Sequence, residues 1–246
     1  MTYDMKAETV TIAGHGGDEI EAYLAQPLAG GRHGGVVVIH HMPGYDRSTK
    51  EIARRFAADG YLAIVPNLYS REGRGASPDD AAARARAQGG VPDERLVGDV
   101  GGALELLRSL PNSNGKVSSI GYCSGGRQSF LAAASLPLDA AVDCYGGALV
   151  HGTPPEFPLK FPALLDRVKD LSCPLLGLFG QDDTHPGPDE VAILAKELEA
   201  HGKTYEFHSF PGAGHAFFDV DRPAYRPEAA VEAYTIIGDF FSRHLS

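Results

Sequence analysis

The chain is short of basic residues and of long apolar runs, and each shortage excludes a class of protein. Lysine and arginine number 22 against 32 aspartates and glutamates, which gives a formal net charge of −10. This balance argues against a nucleic-acid partner, because proteins bind the phosphate backbone through a basic face. No apolar run reaches the ~18 residues of a transmembrane helix, and the first residues lack the apolar segment of a secretion signal. We therefore expect a cytoplasmic protein without a membrane partner.

Cysteine is also scarce, which excludes two kinds of cross-linked protein. The three cysteines, Cys123, Cys144 and Cys173, are widely spaced and odd in number. A disulfide framework needs pairs of cysteines, and a cysteine metal site needs closely spaced ligands. We therefore predict free thiols in a reducing compartment, and no metal site built from these cysteines.

The remaining composition is that of an ordinary globular protein. Hydrophobic residues make up 43% of the 246 residues, which is enough for a sizeable core. This length suits one large domain. We predict a single domain over residues 1–246, present as a monomer or a small homo-oligomer.

Strand and helix signals alternate along the chain from about residue 34 onward. Continuous apolar runs such as residues 35–40 and 116–122 are typical of buried parallel strands. The other predicted elements are strands at 19–25 (antiparallel), 61–66, 140–145, 174–179 and 205–210, and helices at 48–59, 79–88, 96–110, 128–134, 189–201 and 228–245. Repeated strand–helix units predict an α/β fold, with a mostly parallel central sheet and helices on both faces.

Five residues between the strand at 116–122 and the next helix carry the strongest chemical signal. They read Gly121-Tyr122-Cys123-Ser124-Gly125. This is the strand–turn–helix context of a nucleophile elbow, with cysteine in the place of serine. A thiol at a helix N-terminus is favoured as the thiolate by the partial positive charge there. We predict Cys123 as the nucleophile.

An acid and a histidine follow two later strands, in the order that the α/β-hydrolases use. Asp182 and Asp183 follow the strand at 174–179, and His215 follows the strand at 205–210. Counting along the strand favours Asp183 as the residue that orients His215, with Asp182 as the rival. Only one can face the histidine, because a shift of one residue at a strand end reverses the side chain's direction. We predict a Cys123, Asp183 and His215 triad.

The oxyanion hole of such a site needs two backbone N–H groups. The first donor is predicted at Ser124, directly after the nucleophile. The second comes from the loop after the strand at 35–40, where Pro43 has no N–H and Met42 is therefore favoured. His40 and His41 precede it, and one of them is expected to face Cys123 rather than to share a metal ion.

With these motifs the chain resembles the dienelactone hydrolases (carboxymethylenebutenolidases), a family of α/β-hydrolases. The resemblance spans about residues 19–245, and its matching segments lie at 121–126, 66–71, 114–117 and 211–217. It implies hydrolysis of a small lactone or ester through a thioester on cysteine, without a cofactor. Carried over by position, Cys123, Asp183 and His215 become the catalytic triad.

Two positions depart from the pattern that the resemblance implies. His41 stands where the family has a glutamate beside the resting cysteine, and Asp219 stands where it has an arginine for the substrate carboxylate. The candidate substrate-binding residues are His41, Arg71, Tyr122 and Tyr145. Other arginines that could replace the missing one, besides Arg71, are Arg74, Arg84 and Arg127.

Two alternatives stay open on the sequence alone. One is another acyl hydrolase, such as a thioesterase, an amidase or a small peptidase. A long inserted cap would indicate bulky substrates, but the longest irregular stretch is residues 67–90, which indicates a small pocket. The other is a thiol sensor without catalysis on the same scaffold, which a resolving cysteine near Cys123 would favour.

Overall fold

One sheet of eight strands runs through the molecule, in a computed structural model that describes residues 3–246. The strands are β1 (Met5–Ala13), β2 (Glu19–Pro27), β3 (His33–Ile39), β4 (Leu62–Pro66), β5 (Ser113–Tyr122), β6 (Ala140–Cys144), β7 (Leu175–Gly180) and β8 (Tyr205–Phe210). Their order across the sheet is β1-β2-β4-β3-β5-β6-β7-β8. Only β1–β2 and β2–β4 pair antiparallel, and the remaining pairs are parallel. The predicted α/β fold with a mostly parallel sheet is confirmed.

Seven α-helices connect and cover the strands. They are α1 (Arg47–Ala58), α2 (Ser70–Gly73), α3 (Pro78–Ala87), α4 (Asp93–Ser109), α5 (Ser124–Ala133), α6 (Pro188–Ala200) and α7 (Pro227–Leu245). Short 3₁₀ turns lie at His15–Gly17 and Leu165–Asp170. Within residues 3–246, no helix is both long enough and apolar enough to cross a membrane.

The two faces of the sheet carry separate apolar layers, and strand β3 shows how the sequence builds both. Val37 and Ile39 pack into the layer that includes Phe130 of α5, whereas Val36 and Val38 pack into the layer that includes Phe56 of α1. Successive side chains of a strand point to opposite faces, so a strand covered on both faces is apolar at every position. The continuous apolar runs therefore mark the buried strands.

Strand β1 was not predicted from the sequence, because it lacks the continuous apolar run of a strand that is covered on both faces. It pairs only with β2 and lies at the edge of the sheet, and its buried residue is Ile12. A strand with one neighbour and little cover has no need of a continuous apolar run, so its sequence carries a weak signal.

The register of the parallel strands brings four loops together. Ile39 of β3 pairs with Gly121 of β5, Tyr122 pairs with Cys144 of β6, and Gly180 of β7 pairs with Phe210 of β8. Parallel strands that are aligned at their carboxyl ends open their following loops on the same edge of the sheet. The loops after β3, β5, β7 and β8 therefore share one edge.

Two helix glycines differ in the space around them, and this difference shows where a helix packs closely against the sheet. A Cβ at Gly102 of α4 would lie 1.8 Å from the carbonyl oxygen of Ala13, whereas one at Gly238 of α7 would meet nothing within 4 Å. Gly238→Ala is expected to raise the free energy of unfolding by ~0.5–1 kcal/mol, because alanine is the better helix former. Gly102→Ala is expected to lower it by ~1–3 kcal/mol through overpacking. Urea unfolding of both variants measures the difference; a stabilising Gly102→Ala would show that α4 packs less closely against β1.

Candidate active site

Cys123 occupies a sharp turn between β5 and α5. Its φ of 57° and ψ of −122° lie in a region that non-glycine residues rarely adopt. The turn has no room for side chains on either side: a Cβ at Gly121 would lie 1.9 Å from the carbonyl oxygen of Gly125, and a Cβ at Gly125 would lie 2.4 Å from that of Ile39. These glycines allow the chain to reverse within one residue. The Cys123 side chain remains half-buried at the N-terminus of α5.

His215 and Asp183 come from the loops after β8 and β7. Asp183 is buried, and its Oδ2 accepts a hydrogen bond from Nδ1 of His215 at 2.9 Å. Its Oδ1 accepts a second hydrogen bond, from the backbone N–H of His185 at 2.8 Å. Asp183 is thus held at both oxygens, while Asp182 is exposed on the same turn. With Nδ1 occupied, His215 presents Nε2 to its other polar neighbour, Cys123.

The charge of His215 follows from these neighbours. Burial of the ring works against a positive charge and lowers the pKa of His215. The hydrogen bond to Asp183 and the neighbouring Cys123 outweigh burial and raise the pKa of His215 to about 10. The ring is therefore positively charged at neutral pH and lies between two groups that stabilise this charge.

The loop after β3 is shaped by His40, which is fully buried. The backbone N–H of Leu68 donates to Nε2 of His40 at 3.2 Å, so the proton of the neutral ring is on Nδ1. Nδ1 then donates to the carbonyl oxygen of His41 at 2.9 Å, and Gly44 N–H donates to the same oxygen at 2.9 Å. Burial lowers the pKa of His40 to about 4, which keeps the ring neutral.

This carbonyl belongs to the peptide bond whose N–H is that of Met42. The C=O and N–H of a trans peptide point in opposite directions, so fixing the oxygen also directs the N–H of Met42. The Tyr69 hydroxyl donates to the carbonyl oxygen of Met42 at 3.0 Å and fixes the next peptide. Within residues 3–246, Met42 N–H has no hydrogen-bond acceptor. The first N–H of a helix has no partner within the helix either, and in α5 this is Ser124 N–H.

The sequence predicted that His40 or His41 faces Cys123, but His41 is hydrogen-bonded to a carboxylate instead. Its Nε2 lies 2.6 Å from Oδ2 of Asp46, whose Oδ1 accepts a hydrogen bond from the backbone N–H of Thr49 and caps α1. His41 does not line the cavity into which Cys123 opens, and His40 faces the backbone of its own loop. Neither histidine is placed as the expected partner of the resting thiol.

Cys123 opens into a cavity of about 290 Å³. The cavity also borders Met42, Ser124, Asp183 and His215. The predicted triad and both predicted oxyanion donors are therefore brought to one space. Among residues 3–246, no group of three His, Cys, Asp or Glu side chains is arranged to hold a metal ion.

The remaining candidate residues lie outside this cavity. Arg71 donates to both oxygens of buried Asp99, at 2.8 and 3.0 Å, and to Asp18 at 2.7 Å, so its charge is used within the fold. Tyr122 and Tyr145 are buried, and the Tyr145 ring packs edge-on against His215 at 5.2 Å between centroids. The structure thus places Tyr145 against His215 and uses the charge of Arg71 elsewhere in the fold.

The far wall of the cavity comes from a segment that the sequence analysis did not interpret. Residues 145–164, after β6, form neither helix nor strand, and Phe157, Leu159 and Phe161 line the cavity together with Ala148. His185, after β7, completes the wall. The alternate spacing of residues 157, 159 and 161 is the one signal that could have placed these apolar side chains on a common face.

Comparisons with known proteins show which family this chain resembles over nearly its whole length. Residues 20–245 match the model of the dienelactone hydrolase family. A protein of Salmonella typhimurium named "Putative carboxymethylenebutenolidase" is 35% identical over 238 residues, which cover 93% of this chain and 84% of the relative. A protein of Bradyrhizobium named "Probable 2-oxo-3-(5-oxofuran-2-ylidene)propanoate lactonase" is 29% identical over 237 residues, which cover 94% of this chain and 93% of the relative.

Solved structures of dienelactone hydrolases are similar to this chain. A crystal structure from Klebsiella pneumoniae, described as a "Putative Dienelactone Hydrolase", superposes with a TM-score of 0.85 at 30% identity and covers 97% of this chain and 99% of its own. The dienelactone hydrolase of Anabaena variabilis shares the fold with a TM-score of 0.73 at 17% identity, over 99% of this chain and 100% of its own.

The contact between Asp183 and His215 has a measurable effect on the ring. Asp183→Asn removes a charge that raises the pKa of His215, so the midpoint of its titration by NMR is expected to fall from about 10 towards ordinary values. Turnover should fall by about 10³–10⁴-fold, because an amide can stabilise the wrong imidazole tautomer. Asp182→Asn is the matched control on the same turn and should change neither quantity. A larger effect from Asp182→Asn would show that the acid has been misassigned.

The contact between Asp46 and His41 should appear in stability rather than in turnover. Burial raises the pKa of Asp46, but hydrogen bonds from His41 and Thr49 prevail and lower it to about 2. A depressed folded-state pKa stabilises the fold above the unfolded value and loses this contribution as the pH falls. Asp46→Asn keeps the helix cap and should lower the free energy of unfolding by ~1–2 kcal/mol at neutral pH.

Urea unfolding as a function of pH tests this expectation. The difference between wild type and Asp46→Asn should disappear as the pH falls from about 4 to about 2. Asp166→Asn, at an exposed position, serves as the control and should have little effect at any pH. A deficit in Asp46→Asn that is independent of pH would contradict the lowered pKa of Asp46.

Proposed function

Since the chain belongs to the dienelactone hydrolase family of hydrolases, we propose that it cleaves a small ester or lactone by transferring the acyl group to Cys123. The observation that supports this most is the position of Cys123. It stands at a positive φ at the N-terminus of α5, beside a histidine that is hydrogen-bonded to a buried aspartate. The names of the Salmonella and Bradyrhizobium relatives denote enzymes that open lactones, and the thioester chemistry is our proposal for this chain.

Acylation begins from the ion pair of Cys123 and His215. The Cys123 sulfur attacks the carbonyl carbon of the ester, and the carbonyl oxygen gains the negative charge. The N–H groups of Met42 and Ser124 donate to this oxygen; a single donor of this kind contributes about 3–4 kcal/mol to the transition state. When the tetrahedral intermediate collapses, the ester C–O bond breaks and His215 gives its Nε2 proton to the departing alkoxide. The product of this step is a thioester on Cys123.

Deacylation uses the same residues, but His215 now accepts a proton instead of donating one. His215, now neutral, takes a proton from a water molecule, which attacks the thioester carbon. The C–S bond breaks, the acid product leaves, and the Cys123 thiolate is again paired with the His215 imidazolium. Asp183 keeps the ring in the tautomer that both steps need. Water and one ester are consumed, and one acid and one alcohol form; with a lactone, both groups remain on one molecule.

A thiol-sensing role has less support from the same residues. A sensor that forms a disulfide needs a resolving thiol close to the reactive one. Cys144 is buried in β6, and Cys173 is buried just before β7. The arrangement of two free N–H groups beside Cys123 has no role in a sensor, whereas ester hydrolysis requires it.

Iodoacetamide distinguishes the proposed nucleophile from the other cysteines. We expect Cys123 to be alkylated first, with activity lost in proportion. Cys144 is buried and burial raises the pKa of Cys173 to about 12, so both should react slowly. Peptide mass spectrometry, measured alongside residual ester hydrolysis, follows both events.

Two variants complete this test. Cys123→Ala should lower kcat/KM by at least about 10³-fold, because the covalent step is lost. Cys173→Ala is the matched control and should keep the wild-type rate. Full activity in Cys123→Ala would rule out the proposed mechanism.

A further inference from the structure

We infer that this site takes an ester or lactone whose acyl group is uncharged and apolar, and that it selects against acyl groups bearing a carboxylate. The inference rests on the proposed function, and it specifies the substrate class of the same cavity. Its basis is the chemistry of the cavity wall and the partners of the arginines that were candidates for binding an anion there.

The wall facing Cys123 offers an anion no lysine or arginine. Its side chains away from the triad are mainly those of Met42, Ala148, Phe157, Leu159 and Phe161, with the Thr153 hydroxyl donating to the carbonyl oxygen of Leu159. Of the described residues, none of those that line the cavity is a lysine or an arginine. A carboxylate placed against this wall would lose its hydration without gaining a partner, which strongly disfavours binding.

The nearest buried arginine is turned away from the cavity. Arg127 of α5 is fully buried, and its guanidinium forms two parallel hydrogen bonds to Asp93, at 2.9 and 3.1 Å. It also donates to the carbonyl oxygen of Pro162 at 2.8 Å and lies over the ring of Phe161, 4.8 Å from its centroid. Phe161 lines the cavity, so the substrate would contact the ring of Phe161 rather than Arg127. The positive charge of Arg127 is already paired with Asp93.

The other arginines considered for this role are occupied elsewhere. Arg71 is bound to Asp99 and Asp18, while Arg74 and Arg84 donate to the backbone carbonyls of Glu19 and Glu72. Lys160 lies within the wall segment, but it is exposed and its Nζ donates to the carbonyls of Pro155 and Phe157.

The acidic residue near the catalytic histidine does not reverse this conclusion. Asp219, which stands where the family resemblance leads one to expect an arginine, forms an ion pair with Arg222 at 3.0 Å. Asp219 therefore supplies no positive charge, and it keeps a nearby arginine bound outside the cavity.

Two histidines remain as basic groups of the cavity. The charge of His215 is matched by buried Asp183, whose Oδ2 lies 2.9 Å from its Nδ1. The Nδ1 of His185 lies 3.9 Å from a carboxylate oxygen of Glu190, so any positive charge on this ring already has a counter-ion. Neither histidine is free to neutralise a substrate carboxylate.

A pair of esters of equal chain length tests the inference. 4-Nitrophenyl hexanoate and mono-4-nitrophenyl adipate have the same leaving group and differ by a terminal methyl in place of a carboxylate. After subtraction of spontaneous hydrolysis, kcat/KM should be at least about 10²-fold higher for the hexanoate. Equal values, or a preference for the adipate, would overturn the inference.

A charge introduced at the rim should change this preference. Phe157 lines the cavity and is partly exposed, so a longer polar side chain fits there without disturbing the core. Phe157→Lys is expected to raise the adipate-to-hexanoate ratio of kcat/KM by about 10-fold, whereas Phe157→Gln should leave the ratio near that of wild type. An equal change in both variants would mean that polarity rather than charge controls selection.

Different measurements distinguish an error in the inferred substrate selectivity from an error in the proposed function. If hydrolysis of both esters persisted in Cys123→Ala, the proposed function would fail whatever the selectivity. Protection of Cys123 from iodoacetamide by hexanamide or by the adipamate anion measures selectivity without turnover. Stronger protection by hexanamide supports the inference, and equal or stronger protection by adipamate contradicts it.

Discussion

The close approach of strand β3, the turn at Cys123 and helix α5 is the constraint on which the site depends. Gly121 and Gly125 leave no space for a Cβ between these elements. The approach forces Cys123 to a positive φ and sets the N-terminus of α5 beside the end of β3. Because nine of the ten residues of α5 are buried, the surrounding packing can hold this strained turn in place. Ser124 and Met42 border one cavity as a consequence.

Charge is concentrated at one end of the cavity. The imidazole of His215 lies between buried Asp183 and Cys123, while the wall of Phe157, Leu159 and Phe161 is apolar. Hydrogen bonds to a developing oxyanion are stronger beside such a wall than in water. The same surroundings penalise any charge on the substrate that lacks a partner. In the mechanism that we propose, stabilisation of the reacting oxygen and selection against anionic substrates therefore have one physical origin.

The sheet and the positions of Cys123, Asp183 and His215 after its strands could be predicted from the sequence. Buried parallel strands require continuous apolar runs, and the loops at their carboxyl ends meet at one edge. The directions of individual side chains at the carboxyl ends of the strands could not be predicted. His41 turns to Asp46, and Arg71 turns to Asp99, which is 28 positions further along the chain. The edge strand β1 and the irregular segment before β7 lack a strong periodic signal, so one strand and the cavity wall were missed.

The acyl group that forms during turnover tests the central chemistry most directly. Wild-type enzyme is mixed with a slowly hydrolysed ester, quenched in acid within the first turnover and analysed by peptide mass spectrometry. The peptide that contains Cys123 and Ser124 should gain the mass of the acyl group, with fragmentation placing it on Cys123 and neutral hydroxylamine removing it as expected for a thioester. An acyl group on Ser124, or first-turnover product release without any acylated Cys123, would contradict a mechanism through the cysteine.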